Sequence, residues 1–371
     1  MDLAAFFLDC CCFDDYSFSI GETLREKMIR EASLYRKLDD RVQCRTCYRF
    51  CQIAPDEVGF CKTRKNIDGK LFTLVYGEIS STSANPVEKK PFFHFWPGSK
   101  ALTVGTWSCN FTCPWCQNYR ISKYPQDIGK GKYLSPQKFI DLVRKYDCQG
   151  TSISFNEPTL LLEYSLDLFP LARKEGLYNT FVTNGYMSSE ALGLLIESGL
   201  DAMNVDLKGN ARTVKKYCGA KVEKVWQNII EAKKSGVHIE ITTLLIPGIN
   251  DDEETLRTIA TRINREVGQD TPWHVTQYYP AYRALEIGLY PDRTPVETVE
   301  MAWRIGKECG LNYVYVGNIP GHPSENTYCP NCQELLIERY VFDVIRYLVT
   351  PDKKCPKCQK EIPIIGQYIK E

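Results

Sequence analysis

The chain has 371 residues, of which 43% are hydrophobic, enough for one large domain or for two to three smaller ones with buried cores. Lysine plus arginine equals aspartate plus glutamate at 46 each, so no overall field attracts nucleic acid or an anionic membrane. Seventeen cysteines stand against four histidines. Their odd number and tight C-x-x-C spacings disfavour a disulfide framework and indicate metal ligands.

The N-terminus shows no targeting signal. Its apolar stretch at residues 3–8 is short, lies between Asp2 and Asp9, and has neither a basic segment before it nor a small-residue cleavage site after it. No run of about 18 apolar residues occurs, so no membrane span is predicted. We therefore expect a cytoplasmic protein. Residues 1–27 are predicted to be a poorly ordered extension or a mis-assigned start, with Met28 as an alternative first residue.

Residues 28–100 are predicted to form a cysteine-rich lobe. Four of its cysteines begin with tight C-x-x-C-x-x-x-C spacing and have no histidine among them: Cys44, Cys47, Cys51 and Cys61. A four-thiol set suits either tetrahedral zinc or an auxiliary iron–sulfur cluster, and four dispersed free thiols are the plainer alternative. Zinc is favoured, because nothing nearby in the sequence suggests an electron path.

Residues 101–325 alternate strand-like and helix-like segments, which is the pattern of repeated βα units. The predicted strands are 101–108, 151–155, 179–183, 202–208, 238–246, 273–280 and 313–317. Ser135 with Pro136 begins one predicted helix, Ser188 begins another, and Gly199 ends it. About six such units predict an α/β fold, an open, partial parallel βα barrel. Functional residues are expected just after the strands.

Residues 109–116, CNFTCPWC, follow the first predicted strand and place three thiols at C-x-x-x-C-x-x-C spacing: Cys109, Cys113 and Cys116. One loop of this spacing can wrap a cubane cluster, and three thiolates ligate three irons and leave the fourth open to another ligand. Structural zinc or reduced core thiols are the alternatives. Structural zinc is disfavoured, because it is nearly always held by four side chains.

Residues 326–371 are predicted to form a small metal-binding tail. Two C-P-x-C knuckles, Cys329–Cys332 and Cys355–Cys358, are separated by 22 residues, the layout of a zinc ribbon or a rubredoxin-like site. Zinc would stabilise the fold of the tail, whereas iron would provide a one-electron relay. Zinc is favoured. The remaining cysteines lack ligand spacing and are assigned no function: Cys10, Cys11, Cys12, Cys148, Cys218 and Cys309.

The loop at 109–116, with an aromatic residue before its last cysteine, resembles the cluster motif of the radical S-adenosylmethionine (radical SAM) superfamily. Within it, the chain most resembles the AmmeMemoRadiSam-system radical SAM enzymes, which are similar to the pyruvate formate-lyase activating enzyme. The resemblance covers residues from about 30 to 340. Its motifs are C-x-x-C-x-x-x-C at 44–51, GFC at 59–61, PVEKKP at 86–91, CPWCQN at 113–118, NEP at 156–158, TNG at 183–185, DLK at 206–208 and PG at 247–248.

This resemblance implies a [4Fe-4S] cluster on Cys109, Cys113 and Cys116, whose open iron binds the amino and carboxylate groups of S-adenosylmethionine. It implies further cofactor-binding residues, namely Glu157, Thr183, Asn184, Asp206, Lys208 and Trp115.

Three of these positions have plainer alternatives. Glu157 stands where the superfamily has a Gly-Gly-Glu motif that binds the amino group of the cofactor. The two glycines are Phe155 and Asn156 here, so the contact is expected mainly from the Glu157 carboxylate. A solvated surface carboxylate is the alternative. Strand alternation puts Asp206 and Lys208 on one face, where the lysine would meet the cofactor carboxylate; an internal salt bridge is the alternative. The TNG motif also suits an ordinary turn.

Together, the residues and the resemblance predict an enzyme, an oxidoreductase of the glycyl-radical activating type. It would cleave S-adenosylmethionine reductively to methionine and a 5′-deoxyadenosyl radical, which abstracts hydrogen from a protein glycine or from a small molecule. A ferredoxin or flavodoxin is the expected electron donor. The alternatives are a metal-stapled scaffold protein without catalysis, or a radical SAM enzyme that modifies nucleic acid, which the neutral charge balance does not support.

Overall fold

The computed structural model of the protein describes residues 22–370; most of the predicted N-terminal extension, residues 1–21, lies outside this part. The N-terminal part forms small antiparallel sheets, in which β6 lies between β1 and β5, and β3 lies between β2 and β4. Its elements are α1 (Glu22–Met28), β1 (Arg30–Glu31), β2 (Tyr35–Lys37), β3 (Val42–Cys44), β4 (Gln52–Ile53), β5 (Arg64–Ile67), β6 (Lys70–Thr73) and β7 (Glu78–Ile79).

A sheet of eight strands forms the centre of the protein. Its elements and connections are, in chain order, β8 (Ser81–Pro86), β9 (Lys100–Gly105), α2 (Tyr119–Ser122), β10 (Lys132–Tyr133), α3 (Pro136–Lys145), β11 (Gly150–Ile153), α4 (Leu162–Lys174), β12 (Tyr178–Thr183), α5 (Ser189–Ser198), β13 (Ala202–Asp206), α6 (Ala211–Thr213), α7 (Val222–Lys234), β14 (His238–Leu245), α8 (Glu253–Arg262), β15 (Trp273–Gln277), α9 (Val296–Glu308) and β16 (Val314–Gly317). Only β10 among these strands lies elsewhere, paired with β7.

The strand order is β16-β15-β14-β13-β12-β11-β9-β8, and all neighbours are parallel except β8, which runs antiparallel to β9. All seven predicted strands are therefore present and parallel, and the predicted α/β partial barrel is confirmed. In the described residues β16 and β8 do not pair with each other, so the barrel is open. The sequence did not predict β8, because its residues, STSANP, are mostly polar and lack strand-like alternation.

The helix boundaries follow the capping signals. Ser135 caps α3 by accepting the Lys138 N–H at 3.2 Å, and Ser188 caps α5 by accepting the Ala191 N–H at 3.1 Å. Gly199 ends α5 in the left-handed conformation, with φ of 111°, which an L side chain rarely adopts. No helix in the described part of the chain is long and apolar enough to cross a lipid bilayer.

The C-terminal part is a three-stranded antiparallel sheet, β17 (Thr327–Tyr328), β18 (Leu335–Tyr340) and β19 (Asp343–Tyr347). It packs at the amino ends of the parallel strands. The buried guanidinium of Arg339 donates to the carbonyl of Phe93 at 2.8 Å, and Tyr315 on β16 shares a hydrogen bond of 2.9 Å with Thr327. This end of the barrel is closed by protein, so the opposite edge remains for a site.

Three of the four histidines meet in a buried network at this closed end. The Glu240 carboxylate on β14 accepts from Nε2 of His274 at 2.6 Å, from Nε2 of His238 at 3.0 Å and from the N–H of His94 at 2.8 Å. Burial raises the pKa of Glu240, but these donors outweigh it and lower the pKa overall. Glu240, His274 and His94 are buried and His238 is only slightly exposed, so we assign the network to structure.

Acidification should weaken the fold through His94. Burial lowers the pKa of this imidazole to about 3, whereas an unfolded histidine titrates near 6.5. Below about pH 6.5 the unfolded chain therefore binds a proton at His94 that the folded chain does not bind. The free energy of unfolding falls as the pH drops, by up to about 1.4 kcal/mol per pH unit. Urea unfolding between pH 7.5 and 5 measures this slope. A His94→Asn variant should show a shallower slope of unfolding free energy with pH. An unchanged slope would mean that other groups cause the pH dependence.

Candidate active site

A cavity of about 250 Å³ opens at the carboxyl edge of the parallel strands. Of the nine residues predicted to hold the cluster or its cofactor, all but Thr183 line it: Cys109, Cys113, Trp115, Cys116, Glu157, Asn184, Asp206 and Lys208. They lie at the carboxyl ends of β9, β11, β12 and β13 or in the loops that follow, and these four strands are neighbours in the sheet. The fold thus brings the predicted residues together.

The cysteine loop (Cys109, Cys113 and Cys116) lies directly after β9. Burial raises the pKa of Cys109 to about 12 and also raises that of Cys116. Cys113 differs, because its hydrogen bond with Cys218, with the two sulfurs 3.5 Å apart, holds its pKa below the usual range. Cys218 does not line the cavity, so on the cavity side the loop presents three sulfurs.

A partly buried lysine lies beside the cysteine loop. The ammonium of Lys123, just after α2, donates to the carbonyl of Phe111 at 2.6 Å. Burial lowers the pKa of Lys123, but the sulfurs of the three loop cysteines outweigh burial and raise it. This cation therefore offsets negative charge on the loop. Lys123 could not be predicted from the sequence, because a lysine seven residues beyond the last cysteine carries no spacing signal of its own.

Glu157 is fully buried after β11. Its Oε1 accepts from the backbone N–H and hydroxyl of Thr159, at 3.1 and 2.5 Å, and from the hydroxyl of Thr183 at 2.8 Å. Its Oε2 accepts from the N–H of Asn184 at 2.9 Å. Burial raises the pKa of Glu157 despite these donors. Thr183 thus orients the carboxylate from behind, and Oε2 has accepting capacity left toward the cavity.

The backbone before Glu157 keeps a glycine-like shape. Phe155 has φ of 68°, a left-handed conformation unusual for an aromatic residue. Asn156 then ties the end of β11 to the cysteine loop: its Oδ1 accepts from the N–H of Thr106 at 3.2 Å and its Nδ2 donates to the carbonyl of Ser108 at 2.7 Å. Phe155 thus adopts a conformation that favours glycine, and Asn156 contacts the cysteine loop through its side chain.

Asp206 and Lys208 form an ion pair across Leu207, with Nζ and Oδ2 3.1 Å apart. Strand alternation correctly places both on the cavity side. Burial lowers the pKa of Lys208, but Asp206 and the sulfurs of Cys113 and Cys218 raise it more strongly, so the amine is held as a cation. Only 17% of its side chain is exposed. A ligand carboxylate entering the cavity would meet this charge.

Sequence comparison matches the radical SAM superfamily to residues 104–259, the part that holds the cysteine loop, Glu157, Asn184 and Lys208. An uncharacterized protein of Methanocaldococcus jannaschii is 42% identical over 339 residues, covering 91% of this chain and 100% of the relative. The chain belongs to the radical SAM superfamily.

Two further relatives have named activities. A protein of Methanocaldococcus jannaschii named as a glycyl-radical enzyme activating enzyme is 29% identical over 187 residues, covering 48% of this chain and 68% of the relative. The GTP 3′,8-cyclase of Aquifex aeolicus is 26% identical over 152 residues, covering 39% of this chain and 46% of the relative. This radical SAM enzyme is thus related to activating enzymes and to cyclases.

Membership in the superfamily implies a [4Fe-4S] cluster and S-adenosylmethionine, and such enzymes generally need a reductant. The residues present fit the cluster, since three sulfurs face one cavity and, among residues 22–370, no fourth thiol lines it. Asn110 adds a contact that the sequence did not predict. Its Oδ1 accepts from Nδ2 of Asn184 at 2.7 Å, and the same Nδ2 lies 3.8 Å from the sulfur of Cys109.

The C-terminal cysteine set (Cys329, Cys332, Cys355 and Cys358) has a different geometry. Its four sulfurs all lie within 4.8 Å of one another, which suits a single metal ion. In each knuckle the residue directly after the second cysteine donates its backbone N–H to the carbonyl of the first cysteine. These residues are Gln333 and Gln359. The predicted two-knuckle layout is thus formed, while the identity of the ion stays a prediction.

Proposed function

We propose that this radical SAM enzyme activates a partner protein by abstracting a hydrogen atom from one of its glycines. The observation that carries the proposal is the single cavity shared by the cysteine loop, Glu157 and Lys208. The relative named as a glycyl-radical enzyme activating enzyme supports the choice of reaction. A ferredoxin or flavodoxin is the proposed source of the electron.

Each side chain has a role that its surroundings favour. The thiolates of the cysteine loop hold three irons and leave the fourth for the cofactor. Oε2 of Glu157 accepts from the cofactor's amino group, and Lys208, released in part from Asp206, pairs with its carboxylate. When bound, cluster and cofactor supply reductive cleavage of a carbon–sulfur bond, which yields methionine and a 5′-deoxyadenosyl radical. Trp115 and Phe111 wall the cavity and exclude water.

Exposed apolar side chains beside the cavity favour a macromolecular substrate, such as an extended loop of a partner that enters from the mouth. Leu285, Ile287 and Tyr290 are exposed apolar side chains in the segment whose Arg283 N–H donates to the carbonyl of Pro114 in the cysteine loop. Exposed apolar surface of this kind favours protein contacts.

The first experiment tests cofactor cleavage. After anaerobic reconstitution with iron and sulfide, dithionite should drive release of 5′-deoxyadenosine from S-adenosylmethionine. A Cys113→Ala variant should release none above background, because one iron loses its ligand. Undiminished release by that variant would refute the assignment of the cysteine loop.

The second experiment separates a protein substrate from a small one. The enzyme is given a desalted protein extract of its host grown with deuterated glycine, or the low-mass fraction of the same cells. Deuterium should appear in 5′-deoxyadenosine only with the protein fraction, together with a glycyl doublet in electron paramagnetic resonance. Transfer of deuterium from the low-mass fraction alone would exclude protein activation.

Loss of the Lys208 charge should weaken cofactor binding. A hydrogen bond to a charged group contributes about 1.5–3 kcal/mol, so Lys208→Met should weaken S-adenosylmethionine binding by about 10- to 100-fold. Asp206→Asn is the matched control, since it breaks the same ion pair but keeps the cation, and it should cost much less. Equal losses in both variants, measured by equilibrium binding to the reconstituted protein, would mean that the pair is only structural.

We also propose that the C-terminal cysteine set holds zinc as a structural staple. A structural zinc site contributes folding free energy to its surroundings, so Cys355→Ser should lose about one zinc per chain and lower the melting temperature. Cys309→Ser, outside any cysteine set, is the control and should change neither. Metal analysis showing iron instead of zinc in the wild-type knuckles would contradict this assignment.

A further inference from the structure

The fold gathers the N-terminal cysteine set (Cys44, Cys47, Cys51 and Cys61) at one end of the hairpin formed by β3 and β4. Cys44 ends β3, and its N–H donates to the carbonyl of Cys51 at 2.9 Å. The turn that carries Cys61 lies against the same place, since a Cβ on Gly59 would be 3.7 Å from the Cys51 sulfur. Four thiols without histidine thus share one partly buried site.

The spacing of these sulfurs differs from that of a single-ion site. Tetrahedral zinc with bonds of about 2.3 Å holds its sulfurs about 3.8 Å apart, and the C-terminal cysteine set meets this requirement. Among residues 22–370, no three sulfurs of the N-terminal cysteine set lie mutually within 4.8 Å. The three sulfurs of the cysteine loop at the radical SAM site likewise do not all lie within 4.8 Å of one another. In a cubane each thiolate binds a different iron, so wider spacing is what a cluster needs.

Asn110 connects this set to the cysteine loop. Its Oδ1 lies 3.9 Å from the sulfur of Cys109. Its Nδ2 is buried and has no hydrogen-bond partner among the described residues. The side chain of Asn110 therefore faces the cysteine loop, while its backbone carbonyl contacts Arg49, two residues after Cys47.

A second link holds the two sets in place. Nε of Arg49 donates to the carbonyl of Asn110 at 2.6 Å, and its guanidinium lies 3.5 Å from the ring centroid of Phe60, next to Cys61. The N–H of Phe60 in turn approaches the sulfur of Cys51 at 3.5 Å. The N-terminal cysteine set is thus fixed against the radical SAM site through Arg49 and Asn110.

We propose that the N-terminal cysteine set binds a second [4Fe-4S] cluster that passes electrons to the cluster of the cysteine loop across Asn110. The use of this electron to cleave S-adenosylmethionine rests on the function proposed above. One electron leaves a low-potential carrier protein with a flavin or iron–sulfur centre and reduces the second cluster. The same electron then reduces the first cluster, which returns the second to its oxidised state, and S-adenosylmethionine is the final oxidant. No proton moves in this relay.

The presence of the second cluster is tested in a triple variant, Cys109→Ala with Cys113→Ala and Cys116→Ala. After anaerobic reconstitution it should retain about four irons and four sulfides per chain, with the Mössbauer signature of a cubane rather than of a single tetrathiolate iron. Adding Cys47→Ala and Cys51→Ala should remove that signal. A triple variant that holds zinc and no sulfide at this set would overturn the proposal, whatever the wild-type enzyme does with S-adenosylmethionine.

The contact between the clusters is tested by magnetic resonance. Two reduced clusters in contact should couple, so the wild-type spectrum should differ from the sum of the spectra of the two single-cluster proteins, the triple variant and Cys47→Ala with Cys51→Ala. A spectrum equal to that sum would overturn the relay. If both clusters form and couple but no 5′-deoxyadenosine is released, the proposed function fails while the second site stands.

Discussion

Replacement of Glu157 by alanine should reduce release of 5′-deoxyadenosine by about 100-fold or more. The change removes the acceptor of four hydrogen bonds, and each buried donor left unsatisfied costs about 1–3 kcal/mol. Asn184, whose backbone N–H is one of these donors, also contacts the sulfur of Cys109. Iron content and 5′-deoxyadenosine release, measured on the same preparation, should therefore both fall.

A Glu157→Gln variant separates the two roles of this residue. Glutamine keeps an oxygen for Thr159 and Thr183 but puts an amide group, a donor, where Oε2 faced the N–H of Asn184 and the cavity. The cluster should therefore form at nearly wild-type content, while the S-adenosylmethionine concentration for half-maximal release rises about tenfold or more. A variant with wild-type cluster content and an unchanged concentration dependence would leave Glu157 with a purely structural role.

The parallel strands could be predicted because each is a short apolar run between turn and capping signals, and parallel strands buried on both faces carry that pattern strongly. The same signals fixed the helix ends at Ser135 and Gly199. β8 escaped prediction because an edge strand needs no buried face along its length. The pairing of Glu240 with three histidines was also invisible, since those residues come from separate elements that meet only in the folded chain.

The residues of the cavity divide in the same way. Cys109, Glu157 and Lys208 follow strands and could be predicted from their positions and from family motifs. Asn110 and Lys123 could not, because their importance depends on three-dimensional neighbours. Zinc was favoured for the N-terminal cysteine set because the sequence suggested no electron path. In the folded chain Asn110 contacts both the cysteine loop and Arg49 of the N-terminal lobe, so the premise of that preference no longer holds.

The buried ion pair between Arg64 and Glu163 should be the most sensitive point of the contact between the N-terminal lobe and the barrel. Arg64 lies on β5 and Glu163 on α4, with Nη1 and Oε1 2.7 Å apart and side-chain exposures of only 1% and 2%. Arg64 also donates to the carbonyl of Leu160, and Glu163 accepts the N–H of Ser33 at 3.0 Å. Removing one partner leaves a buried charge unpaired.

Arg64→Ala or Glu163→Ala should therefore each lower the free energy of unfolding by about 3–5 kcal/mol, measured by urea denaturation of anaerobic protein. The double variant Arg64→Met with Glu163→Leu should lie much closer to the wild type, because neither charge is then buried alone and the volume is kept. Additive losses in this double-mutant cycle would show that the two residues act separately.

Arg64 also lies beside Cys44 and Cys61, whose sulfurs raise its pKa, although burial acts against this. If the double variant is stable but loses iron from the N-terminal cysteine set, the positive charge serves to balance the cluster rather than to hold the lobe.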